Sequence, residues 1–101
     1  MSLGDWELTI TGAVARIDRE DLDKSGKNPK YLLSIVITPD EVPPVPDGAS
    51  LPAELAVRVK AIDLPRYTRA TIERGDRVRA RARASGYRPS TLKLLALDKL
   101  T

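Results

Sequence analysis

Between positions 77 and 84 arginine alternates with small apolar residues without a break: Arg77, Arg79, Arg81 and Arg83 interleave with Val78, Ala80, Ala82 and Ala84. A β-strand sends successive side chains to opposite faces, so an extended chain here turns four guanidinium groups one way and four apolar groups the other. A helix would scatter both sets around its circumference and leave no stripe to bury. That outweighs the good helix propensity of Ala and Arg. The pattern predicts a strand over residues 77–85. Small inward residues fit the tapering interior of a barrel. Four neighbouring cations on the other face repel one another, which makes sense if a polyanion or a row of carboxylates lies across them.

A chain of 101 residues suits one compact domain with a modest core, read here as residues 1–101 with a Pro-rich loop at 39–54. Cysteine and histidine are both missing from the sequence. That removes disulfides, thiolate and imidazole metal ligands, and the usual base near neutral pH. No phosphate-cradling glycine loop or nucleophile elbow occurs either. We therefore expect no enzyme, no cofactor and no metal. No apolar run reaches membrane-spanning length and no signal-like block opens the chain, so the expectation is a cytoplasmic protein without a membrane partner.

The net charge of +3 conceals an asymmetry. Residues 1–54 carry five Lys/Arg and ten Asp/Glu, net −5, whereas residues 55–101 carry twelve and four, net +8. Most of the cations in the second half are arginines, whose forks grip phosphates or carboxylates in bidentate fashion and stack on bases.

Residues 7–17 read as a first strand bent at Gly12, a bend that would let it curl and pair with two neighbours. Residues 18–29 read as a polar loop. Its acids Asp18, Glu20, Asp21 and Asp23 lack the spacing of a calcium loop, so they are expected to be solvated or to pair with the arginines. A second strand follows at 30–38, with Tyr31, Leu33, Ile35 and Ile37 as its core parity; Leu32 and Val36 on the other side also need cover. Residues 39–54 hold five of the eight prolines and should form an extended loop, either a mobile insertion or an arm that packs on a neighbour. A third strand at 55–62 turns Arg58 and Lys60 to one face, a short helix is expected within 64–73, and a fifth strand at 91–97 closes the chain.

Three strands, a short helix and two strands, with a glycine inside the first strand and Gly75-Asp76 turning into the fourth, resemble an OB-fold. The fold class implied is all-β: a five-stranded Greek-key barrel with a short helix between strands 3 and 4. The stretch ERGDRVRARARASGYRPSTLKLLALDKL looks like the last third of bacterial single-stranded-DNA-binding proteins. That resemblance implies single-stranded DNA or RNA as the partner, with bases stacking on aromatics from strands and hairpins. By position it points to Lys24, Lys27 and Lys30 in the first loop and to Tyr87 and Arg88 in the hairpin after strand four.

With no Phe, one Trp and three Tyr, stacking should be limited and binding chiefly electrostatic. Trp6 reads as a barrel plug, Tyr67 as helix packing and Tyr87 as the best stacking candidate. The expected nucleic-acid-binding residues are Arg58, Lys60, Arg77, Arg79, Arg81, Arg83, Tyr87 and Arg88, with little sequence preference. The alternative is a protein-interaction or oligomer-assembly module that uses the basic half and the Pro-rich arm against an acidic partner or a second copy.

Overall fold

A computed structural model describes residues 3–22 and 30–101. Lys24, Lys27 and Asp23 lie outside the described residues. The strands are β1 (Asp5–Asp21), β2 (Tyr31–Pro39), β3 (Leu55–Lys60), β4 (Arg77–Ser85) and β5 (Leu92–Lys99), with one 3₁₀ turn at Leu64–Arg66. They close into a barrel in the order β1-β2-β3-β5-β4. Neighbours are antiparallel except β3 and β5, which run parallel through a short pairing of Val57 with Leu92 and Arg58 with Lys93. This is the all-β, OB-fold-like barrel that the order of elements predicts.

Closure depends on the length of β1. Its first half pairs with β4, from Asp5 opposite Ser85 to Ala13 opposite Arg77, and its second half pairs with β2, from Gly12 opposite Pro39 to Asp21 opposite Tyr31. Gly12 and Ala13 belong to both ladders. A Cβ on Gly12 would overlap the Thr38 carbonyl oxygen and sit 2.8 Å from Pro39 Cα, so glycine is required by the close approach of β2. A register shift between Val14 and Arg16 supplies the remaining kink.

The interior gathers Leu8, Ile10 and Val14 from β1, Ile35 and Ile37 from β2, and Leu55, Val57 and Val59 from β3. From the other side come Val78, Ala80, Ala82 and Ala84 of β4 and Leu92, Leu94 and Leu97 of β5. Burying each large aliphatic side chain contributes about 1.5–3 kcal/mol, while the three β4 residues at 0 % exposure, Val78, Ala80 and Ala82, leave room for β1 and β5 to approach. Val36 is also buried although it stands outside this cluster, so the cover it needs is present.

Several boundaries depart from expectation. Residues 18–21 are not loop: Asp18, Arg19, Glu20 and Asp21 pair with Ser34, Leu33, Leu32 and Tyr31 as a ribbon running on from the barrel. Both faces of that ribbon meet water, so no apolar alternation marks it. The third strand stops at Lys60 and the fifth runs from Leu92 to Lys99. The helix within 64–73 shrinks to one 3₁₀ turn because side chains capture the amides a helix would use. The Ala70 N–H donates to Thr68 Oγ1 at 3.1 Å, and the Glu73 N–H to Asp76 Oδ2 at 2.8 Å. Ile72 is buried, whereas Ala70 is exposed.

The Pro-rich loop is an arm folded onto its own barrel. Asp40 donates its N–H to Thr11 O (2.8 Å), Ser50 donates to Tyr87 O (2.8 Å), Pro43 is buried and Leu51 packs against the core. Each end is held by an ion pair as well, Asp40 to Arg77 of β4 and Glu54 to Arg16 of β1. Intramolecular partners thus take the contacts that the sequence left to a neighbour.

Candidate functional site

Strict alternation on β4 carries straight through to the structure: Val78, Ala80, Ala82 and Ala84 point in, and Arg77, Arg79, Arg81 and Arg83 are exposed on the outside. The strand fits its slot because two partners flank it along most of its length, β1 on one side and β5 on the other. Opposite the comb, β1 presents Glu7, Thr9, Thr11 and Ala13, and β5 presents Lys93, Ala96 and Asp98.

The four arginines are not equivalent. Arg77 is bound in a two-pronged contact by Asp40, whose carboxyl is held below its ordinary value of 3.8 by that guanidinium. Arg79 lies across from Asp98 in register without forming an ion pair, and Arg81 lies between Thr9 and Ala96. Among the described residues no ion pair engages Arg79, Arg81 or Arg83. Asp18 of the first loop binds Arg16 and not the comb, at 3.1 Å.

Arg83 leads to the remaining candidates. In β-sheet register it faces Lys93 of β5, and Lys93 in turn faces Arg58 of β3. Three cations therefore stand side by side on three adjacent strands, all outward and exposed. Neighbouring strands lie about 4.8 Å apart, so the row spans about 10 Å. It crosses a groove of about 560 Å³ over the seam between β3 and β5, with Lys60 further along β3 and Tyr67 on the wall. Lys93 was missed by sequence reasoning. Its outward parity between Leu92 and Leu94 was visible, but its neighbours are 35 and 10 positions away and only the strand order brings them together.

Tyr87 is 42 % exposed in the β4–β5 turn, next to exposed Arg88. One side of its ring rests on the arm, where the position of a Gly48 Cβ would be 3.5 Å from the ring. Trp6 packs against the core and donates its indole N–H to Gly86 O at 2.8 Å, which braces the same turn and fits the expected plug. Tyr31 sits at the β2 rim, with the Arg19 guanidinium 4.4 Å above its ring centroid. Tyr67 is half-buried against the core, after the 3₁₀ turn.

No family model, curated protein or solved structure matches this chain. The site is therefore read from its own chemistry. Among the described residues no group of three or more acidic side chains could hold a metal ion, and no helix is long and apolar enough to cross a membrane. What remains is a cationic outer face built on rigid strands, continuous from Arg79 through Arg81 and Arg83 to Lys93 and Arg58.

Proposed function

We propose that this protein binds single-stranded nucleic acid with little sequence preference through its arginine-rich strand face. The observation that carries the reading is the outward row of Arg79, Arg81, Arg83, Lys93 and Arg58, none of them in an ion pair among the described residues. Like charges held side by side on a sheet oppose folding, and a phosphate backbone offsets that repulsion. Phosphate contacts from Arg79, Arg81 and Arg83, with Arg58, Lys60 and Arg88 at the flanks, would position a strand without reading its bases. The scarcity of aromatics argues in the same direction: Tyr87 offers one exposed ring for stacking.

The test is titration of labelled oligonucleotides of different sequence at several salt concentrations. Affinity should fall with a log–log slope of about −2 to −4, since each neutralised phosphate of a single strand contributes about −0.7. Replacing Arg79 and Arg81 together by Ala should weaken all sequences alike and flatten the slope, whereas Tyr87→Ala should lower affinity with the slope nearly unchanged. Absence of binding at low salt removes the assignment. If the arginine variants then change sedimentation instead, the basic face is an assembly surface for an acidic partner or a second copy.

A further inference from the structure

We infer that the bound strand crosses the barrel over the β3–β5 seam, with Lys93 as its central phosphate contact between Arg58 and Arg83, and does not simply run along β4. This rests on the nucleic-acid reading and specifies its path.

The comb suggests a ligand parallel to β4, but the first half of that strand weighs against the path. Arg77 is already bound by Asp40 at one end of the strand, and Asp98 stands beside Arg79. Cation density instead peaks where Arg58, Lys93 and Arg83 stand on successive strands, with Glu7 of β1 the one carboxylate in register with them, opposite Arg83 and without an ion pair among the described residues. There the parallel β3–β5 ladder is only two pairs long and the surface dips into the groove. A concave cationic surface with apolar walls focuses field more strongly than an open strand face. Leu32 and Tyr67, both partly exposed, supply such walls.

Asp5 and Asp63 also line the groove, Asp63 in an ion pair with Arg66 at 3.7 Å, so the seat for a phosphate is the cationic stretch around Lys93. Tyr67 on the wall offers a partly exposed ring beside that seat, where a base can rest. On β2 the residues next to this row carry no charge, Ser34 being the partner of Arg58, so the cationic path turns from β3 toward β5 and β4.

The experiment is a salt-dependent titration of a short oligothymidylate with wild type, Lys93→Ala, Lys93→Gln and Arg79→Ala. Wild type should bind at low salt. Both Lys93 variants should lose roughly three- to tenfold at low salt and reduce the steepness of the slope by about 0.7, with a smaller loss for Arg79→Ala. Lys93 is exposed and faces two cations, so thermal melting of its variants at low salt should match or exceed wild type, separating a lost contact from a damaged fold. If wild type does not bind, the nucleic-acid reading falls and this path with it. If wild type binds, Lys93→Ala and Lys93→Gln match it in affinity and slope, and Arg79→Ala is weakened, the strand follows β4 and the inference is overturned.

Discussion

Gly12 shows how much a single residue can decide in so small a barrel. It sits in both ladders of β1, and any side chain there meets backbone atoms of Thr38 and Pro39, which cannot rotate out of the way. Gly12→Ala must push β2 away from β1, and we expect a loss of about 1–3 kcal/mol, the range for overpacking a tight interior. The denaturant midpoint should fall accordingly; an unchanged midpoint would mean that the two strands separate freely. Gly12 was legible in the sequence as a bend, yet the cause is steric approach and not a special dihedral, since it is not among the glycines with positive φ. Ala80 is set on the inside, at 0 % exposure between Ile10 and Leu97.

Among the elements, the arm at residues 39–54 depends most on charge. Arg16 holds Glu54 through both carboxylate oxygens at 2.8 and 2.6 Å, and Arg77 holds Asp40. Both carboxyls are lowered from ordinary values of 4.5 and 3.8, chiefly by hydrogen bonds from those guanidinium groups. A depressed folded-state pKa contributes stability that is present above the unfolded value and is lost as pH falls through the folded one. The arm should therefore be equally secure at pH 5 and pH 7 and loosen below about pH 4. Hydrogen exchange at the Ser50 amide, which bonds Tyr87 O, reads this directly: protection should fall in acid, and in Asp40→Asn it should already be reduced at neutral pH. Protection that ignores both changes would show that Pro43 and Leu51 alone hold the arm.

Legibility of the elements followed the same physics. β4 could be read to the residue because one of its faces is dry and the other wet, so parity appears in the sequence. The 18–21 ribbon could not, because both its faces are wet, and the expected helix failed at Thr68 and Asp76, whose side chains outbid the backbone for amide protons. The outward face of the comb was legible, and so was the outward parity of Lys93, but the place of Lys93 beside Arg58 was not, since a contact between strands β3 and β5 has no local signature.

Across the whole molecule, the charge asymmetry of the sequence becomes spatial only in part. The acidic first half supplies Asp40, Asp18 and Glu54 as partners for Arg77 and Arg16, while no ion pair engages the seam row among the described residues, Glu7 lying opposite Arg83 without one. Salt should therefore act on the fold in a position-dependent way. At about 10 mM salt the Debye length is about 30 Å and at physiological strength about 8 Å, so repulsion across the row of about 10 Å is screened in one condition and not the other. Lys93→Ala should melt above wild type at low salt, and the gap should narrow as salt is added. A gap that is independent of salt would point to packing instead of charge.

The bond from the Trp6 indole to Gly86 joins residues 80 positions apart. Since Trp6 is the sole tryptophan in the sequence, its fluorescence becomes an intrinsic clock for the moment β1 meets the β4–β5 turn. That meeting cannot precede the arrival of most of the chain, so a ribosome-bound fragment ending before residue 86 lacks the acceptor and leaves the two free flanks of an open sheet available for wrong pairing. Barrels assembled from such distant pairings refold in milliseconds to seconds, against microseconds for local helical bundles, and the native indole signal should appear on that slower scale, together with amide protection of β4.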